Sequence, residues 1–385
     1  LPRRRRGSGL GGLALLALLA GCGGDEATEE PPVELPPVPR FAIGIDEKNP
    51  HLLAPGEQPE SFARFRDALA ALEPAYVRIL IDWSVIQPAA GVPPDLAQAK
   101  DGCIRGGAPP CAPYAGFRDT LRAVAALGAR PVVLIYGTPE WAARPAAGCE
   151  RPGVTPYSRA PRTEPYRALL RAILALAGEE DVAIEYLSPW NEPNHPFFLN
   201  PQRARCDRDA RALAPGRYSE LVRVAAEEVG LERLLIGETA GLLSHTNAVG
   251  AGEFAAGLPD DIVCGAAGYA QHAYVSAPRG EARTLERVPP AQNARVLEEV
   301  KAGLDSHGCA EPVPIWITET GVGNRPGGCE DMAAALRTWK ADGRIRAAFQ
   351  YTLRDDPIFP TGLADPELTR LHPAYEAWRT RGESC

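Results

Sequence analysis

Residues 183–194 read Ala-Ile-Glu-Tyr-Leu-Ser-Pro-Trp-Asn-Glu-Pro-Asn. The short apolar run of Ile184, Tyr186 and Leu187 is stopped by Pro189 and Pro193, which disfavours helix and predicts a buried strand opening into a loop. Glu192 therefore stands just past a strand end. Further along, Val313-Pro314-Ile315-Trp316-Ile317-Thr318 repeats the design: a β-branched and aromatic run ends in Glu319, and Thr320-Gly321 turn the chain away. In a parallel barrel the carboxyl ends of the strands converge on one face, so two glutamates far apart in sequence would meet there. Paired carboxylates of this kind point to the chemistry of glycosidic bonds.

The chain around these two segments has the same texture. Short β-rich runs alternate with amphipathic stretches from residue 41 onward, the pattern of βαβ units. Strands are predicted at 41–45, 76–81, 131–136, 183–188, 233–236, 266–272, 314–318 and 346–351. Helical patterns fall between them at Phe62 to Leu72, Tyr114 to Leu127, Thr163 to Ala177, Ser219 to Val229, Ala291 to Leu304 and Asp331 to Trp339, with a short one near Gly252 to Leu258. Thr163 followed by Pro165 suits a helix start, and Leu169, Leu170, Ile173 and Leu174 supply an apolar stripe. The expected fold class is α/β, a (β/α)8 TIM barrel in a single domain, with long loops at 82–113, 137–162 and 189–215 on the functional face. Asp46, Asp82, Trp141, Glu192, His272, Glu319 and Tyr351 all fall at or just beyond predicted strand ends. Taken singly, Asp46 and Glu238 read as helix caps or loop solvators.

Composition sets the boundaries. A chain with 45% hydrophobic and 23% charged residues can build a full-sized core. A net charge of −8 without a basic stripe argues against nucleic acid as partner. The one basic cluster, Arg3 to Arg6, precedes the apolar run Leu10 to Ala20, giving the charged and apolar regions of an export signal. That run is too short to span a bilayer. It ends in Leu19-Ala20-Gly21-Cys22, which resembles the lipobox of bacterial lipoproteins and implies that Cys22 is acylated. The expected organisation is a lipoprotein signal over 1–21, an acidic Pro-rich tether over 22–40 and the barrel over 41–385, exported and anchored to the bacterial cell envelope. Gly7-Ser8-Gly9-Leu10-Gly11-Gly12 satisfies a dinucleotide-binding pattern, but no strand precedes it. Removing Cys22 from nine cysteines leaves an even number, which in an exported chain predicts disulfides. Cys103 with Cys111 would close a small loop, and Cys149 with Cys206 would tie two loops on the functional face. The bland alternative is reduced, buried cysteines.

Trp-Asn-Glu-Pro-Asn at 190–194 together with Ile-Thr-Glu-Thr-Gly at 317–321 resembles the retaining glycoside hydrolases of clan A, whose acid/base and nucleophile end the fourth and seventh barrel strands. The resemblance implies that Glu192 is the acid/base, that Asn191 contacts the sugar 2-hydroxyl and that Glu319 is the nucleophile. Gly137-Thr138-Pro139-Glu140-Trp141 and His272-Ala273-Tyr274 look most like family thirty-nine and its neighbours, which usually carry an accessory β-sandwich for which this chain has no room after the barrel.

Physical chemistry bears on the same residues independently. Arg78 lies inside a strand, where an unpaired guanidinium would be costly, so it should face a carboxylate: Glu319, or alternatively Asp82. His272 and Tyr274 share one face by the period of two, so either would reach the nucleophile or the sugar, although a satisfied structural histidine is an equal reading for His272. Trp141 and Trp190 are the tryptophans expected to stack on sugar rings. No H-E-x-x-H or clustered His/Cys set suggests a catalytic metal, and neither a G-x-S-x-G elbow nor a P-loop occurs, so no cofactor is expected. The expected activity is a retaining glycoside hydrolase acting on an oligo- or polysaccharide, as a monomer. The competing reading is a non-catalytic carbohydrate-binding barrel on the cell surface.

Overall fold

The computed structural model describes residues 35–56, 59–104, 107–150, 153–279 and 284–385. The expected signal, Cys22 and most of the tether lie outside them. Strands form where β-branched and apolar residues run together: β1 (Ala42–Asp46), β2 (Tyr76–Asp82), β3 (Arg130–Tyr136), β4 (Tyr186–Ser188), β5 (Leu235–Thr239), β6 (Gly268–His272), β7 (Ile315–Thr320) and β8 (Ile345–Tyr351). They make one eight-stranded sheet in the order β4-β3-β2-β1-β8-β7-β6-β5. Every pairing in it is parallel. A parallel bridge from Leu187 to Leu234 joins the two edges and closes the sheet into a barrel. The fold is thus a (β/α)8 TIM barrel.

The connecting helices are α1 (Glu60–Ala70), α2 (Gly116–Leu127), α3 (Thr163–Glu179), α4 (Ala214–Val229), α5 (Ala251–Ala256), α6 (Pro290–Asp305), α7 (Gly328–Ala341) and α8 (Ala374–Arg379). Most boundaries differ from the sequence reading by a few residues, and two of the differences have a clear cause. α4 starts at Ala214 rather than Ser219, because Pro215 falls at the helix entrance, where its fixed φ favours helix and its missing N–H costs nothing. β4 is only Tyr186–Ser188, since only those residues pair with Val132–Leu134 of β3.

Period-two alternation divides the core into two layers. Ala42, Tyr76, Val132, Leu235, Ala270, Trp316, Ala347 and Phe349 fill the barrel interior. Alternate residues such as Val77, Ile79, Val133, Ile236 and Ile317 face outward, where Phe62, Phe65, Leu169, Leu170 and Ile173 of α1 and α3 cover them. Gly44 has no side chain because the Phe349 ring occupies the place where a Cβ would sit. Gly44→Ala would displace that ring from the interior, where full burial stabilises by roughly 1.5–3 kcal/mol.

Four disulfides are present among the described residues. Cys103–Cys111 and Cys149–Cys206 are the expected pairs. Cys264–Cys309 ties the segment after α5 to the approach to β7, and Cys329–Cys385 ties α7 to the last residue. No described helix is long and apolar enough to cross a membrane.

Candidate active site

The carboxyl ends of the strands bring together eight polar side chains, most of them far apart in sequence. Counting by twos from the interior residues, Tyr76 leads to Arg78, Ala42 to Asp46, and Ala270 to His272 and Tyr274, so all four groups point to the barrel axis. Glu319 and Glu238 break the parity. Trp316 faces inward, so Glu319 should face outward, but β7 shifts register against β6 between Ile317 and Glu319. β5 likewise shifts against β6 between Gly237 and Thr239. A bulge re-aims the residue at its turn, and here both re-aim a glutamate inward. Glu238 (φ +51°) and Glu192 (φ +37°) also adopt left-handed backbone conformations. A non-glycine residue held there costs about 1–3 kcal/mol, which the surrounding structure must impose.

Arg78 lies at the centre. Nη1 donates to Asp46 Oδ1 at 3.0 Å and to Glu319 Oε1 at 2.8 Å, and Nη2 donates to Asn191 Oδ1 at 3.2 Å and to Glu238 Oε2 at 3.1 Å. Tyr274 donates its hydroxyl to Glu319 Oε2 at 2.8 Å. His272 Nδ1 is 2.9 Å from Glu192 Oε1 and 3.4 Å from Glu319 Oε2, while its Nε2 is 3.0 Å from Glu238 Oε2. Ser188 and Thr318 hydroxyls also donate to Glu238, at 2.5 and 2.7 Å. The facing atoms of Glu192, His272 and Glu319 all lie within 4.8 Å of one another. They are the one set among the described residues close enough to share a cation. Both imidazole nitrogens are already engaged by carboxylates, and Arg78 supplies compensating charge, so the arrangement fits ion pairing better than metal binding.

Burial and pairing compete in setting the charge states. Burial alone would discharge Arg78, but Asp46, Glu238 and Glu319 hold it firmly cationic. Burial, opposed by Arg78 and helped by neighbouring carboxylates, pushes Asp46 well above the usual carboxylate range. For Glu238 burial is outweighed by Arg78, His272 and Ser188, and its value falls to about 2. Burial opposes charge on His272 as well, yet Glu319, Glu192 and Glu238 raise it to about 10. Glu192 is lowered, since the hydrogen bond and charge of His272 overcome its burial. Burial and then the charge of Glu319 keep Tyr274 neutral.

Of the residues singled out in the sequence, Glu192, Glu319, Asn191, Arg78, His272 and Tyr274 meet in this cluster. Asp82 is not the partner of Arg78: it accepts from Ser84 N and Oγ at the entrance of the short helix Trp83–Ile86. Trp190 corrects the sequence reading. It is fully buried, donates Nε1 to Phe198 O at 2.8 Å and packs edge-on against Tyr166, so it has no face left for a sugar ring. Trp141 is half-buried, donates to Gln87 O at 2.9 Å and stands edge-on to Trp83. Asp46 and Glu238, read from sequence as caps or loop solvators, are buried members of the cluster. A carboxylate one residue past inward Gly237 carries no sign of the bulge that turns it. Beside the cluster a cavity of about 540 Å³ opens against the loop after β2, with Asp46, Glu47, Lys100, Tyr114, Tyr136 and Tyr351 among its walls.

No family model and no curated protein matches the sequence. Solved structures do share the barrel, and glycoside hydrolases of families 39 and 5 are among them. A family 39 glycoside hydrolase from the gut symbiont Bacteroides cellulosilyticus WH2 superimposes with a TM-score of 0.54 at 17% identity, over 90% of this chain and 65% of that one. The exo-beta-1,4-mannosidase Op5Man5 from Opitutaceae bacterium strain TAV5 gives 0.52 at 14% identity, over 89% of this chain and 59% of that one. A variant GH5_18 protein from Streptomyces cattleya, in complex with Manb1-4GlcNAc, gives 0.53 at 16% identity, over 88% and 79%. The chain therefore spans less than two thirds of the first two. At such identities the likeness establishes the fold.

Proposed function

We propose that this protein is a retaining glycoside hydrolase, with Glu319 as nucleophile and Glu192 as general acid and base. The observation that carries the proposal is the approach of the two carboxylates, an oxygen of each lying within 4.8 Å of the other at the ends of β7 and β4. Retaining pairs stand about 5–5.5 Å apart, whereas inverting pairs need roughly 6.5–9.5 Å to admit a water. Arg78 and Tyr274 both donate to Glu319, which fixes its orientation and leaves the carboxylate presented for attack on an anomeric carbon. The covalent glycosyl-enzyme would then be hydrolysed by water that Glu192 deprotonates. Asn191, which accepts from Arg78 and precedes Glu192 in the chain, is the residue proposed to meet the sugar.

The substrate is an oligo- or polysaccharide. The neighbour in complex with Manb1-4GlcNAc and the exo-beta-1,4-mannosidase make β-mannosides the first substrates to test. The leader and Leu19-Ala20-Gly21-Cys22 support export and a lipid anchor at Cys22 on the cell envelope, with the catalytic chain acting as a monomer. The test is a screen over aryl glycosides and polysaccharides, followed by NMR of the first-formed product. Retention of the anomeric configuration is expected, and inversion would overturn the mechanism.

A further inference from the structure

Resting on the glycosidase reading, we infer that His272, fixed by the buried Glu238, carries the proton that Glu192 delivers, and that the charge on Glu319 controls its release. Glu238 is wholly buried and accepts from Arg78, Ser188, Thr318 and His272. An ionised carboxylate offers no proton, so the ring nitrogen facing it, Nε2, must carry one. The tautomer is thereby fixed, and Nδ1 is the nitrogen free to gain or lose a proton. Nδ1 faces Glu192 at 2.9 Å and Glu319 at 3.4 Å. The other charged or titratable groups around the ring are Arg78, Asp46 and Tyr274, all of which touch Glu319 or Arg78 rather than the imidazole.

This arrangement resolves a conflict in the site. A general acid must be protonated, yet Glu192 in the free protein is held below the ordinary carboxylate range by His272. The pair Glu192–His272 nevertheless holds one proton to high pH, because the imidazole retains it. When a Glu319 oxygen bonds to the anomeric carbon, its negative charge is consumed and the strongest attraction holding the imidazolium disappears. The Nδ1 proton then passes through Glu192 Oε1 to the departing glycosidic oxygen, leaving Glu192 ionised and His272 neutral. In the second half, Glu192 takes a proton from water, the water oxygen bonds to the anomeric carbon, and the ester to Glu319 breaks. Glu319 regains its charge, and the proton returns to Nδ1. No proton is gained or lost over the cycle. Glu238 acts through His272 and is a positioning residue.

The test combines a kinetic and a spectroscopic measurement on the full chain. The alkaline limb of kcat/KM in the wild type should lie well above the carboxylate range, since it reports loss of the shared proton. His272→Gln should move that limb down by about two pH units or more, and Glu238→Gln by about one. A purely structural role for either residue would lower activity at all pH values with the limb unmoved, and that result would overturn the inference. Independently of activity, ¹⁵N-histidine NMR of the wild type, with the His272 signal assigned by its loss in His272→Gln, should show both ring nitrogens protonated at pH 7. In Glu319→Gln the same signal should change to the neutral Nε2–H form at lower pH than in the wild type. A neutral His272 at pH 7, or an unchanged titration in Glu319→Gln, rejects the inference even if glycosides are hydrolysed. Absence of hydrolysis with the NMR behaviour intact rejects the glycosidase reading instead.

Discussion

Arg78 and Glu319 are 241 residues apart in the chain, yet Nη1 of the one lies 2.8 Å from Oε1 of the other, with the arginine fully buried. The same guanidinium binds Asp46 and Glu238, so three carboxylates share one guanidinium.

Arg78→Met should therefore destabilise strongly. Asp46 loses its guanidinium partner, Glu238 and Glu319 are left with His272 as their cation, and breaking a buried ion pair costs about 3–5 kcal/mol. Denaturant unfolding at pH 7 should show that loss, and the deficit should shrink near pH 4, where the stranded carboxyls can take up protons. A variant as stable as the wild type at pH 7 would show that the guanidinium is not what permits the burial.

Glu319→Gln should abolish turnover, by roughly 10⁴-fold or more, because the amide cannot form the ester intermediate. Glu192→Ala should retain attack on substrates with good leaving groups, which need no protonation, and azide should raise its rate while giving a glycosyl azide of retained configuration. Steady-state kinetics with activated aryl glycosides, together with NMR of the azide product, decide both.

Stability should depend on pH in a way that Glu238 and His272 set. The carboxyl of Glu238 is depressed from 4.5 to about 2, so its contribution is complete above pH 4.5 and is lost as pH falls toward 2. Its size is about 3 kcal/mol. His272 is raised from 6.5 to about 10, so its contribution is complete below pH 6.5 and is lost as pH rises through 10. Asp46 is shifted in the opposite sense to Glu238, which makes the difference between wild type and Glu238→Gln the informative quantity. That difference, read from unfolding midpoints, should be large at pH 6 and small at pH 2.5. A constant difference would mean that Glu238 is not ionised in the folded protein.

Cys149 and Cys206 join the loops after β3 and β4 across 57 residues. In the chain-entropy account a loop of that length confers about 4 kcal/mol by restricting the unfolded state. Replacing both cysteines by serine should lower the unfolding temperature measured by calorimetry, and peptide mapping without reduction should find the remaining three pairs intact. Free thiols at both positions in the wild type would reject the pairing.

If Cys22 of Leu19-Ala20-Gly21-Cys22 carries the proposed acyl anchor, Cys22→Ser should move the protein from the membrane fraction to the soluble fraction. Immunoblotting of the two fractions reads the outcome. Equal membrane retention of wild type and variant would refute the anchor.

The sequence by itself determined the barrel, because eight short β-rich runs alternating with amphipathic segments leave few other architectures, and it placed Glu192, Glu319, Arg78, His272 and Tyr274 at one rim. Strand alternation is a local property, so a residue two or four places from an interior side chain can be assigned to the axis from sequence alone. Tertiary structure decided the rest. Glu238 and Glu319 face inward through bulges against β6, and a bulge depends on the partner strand rather than on the bulged residues. Trp190 turned into the core instead of the cleft because the ring is covered by Tyr166 and its N–H is taken by Phe198, contacts made by a distant helix and a loop. The charge states of Asp46, Glu192 and His272 likewise belong to no single residue, because burial sets each against neighbours contributed by other strands.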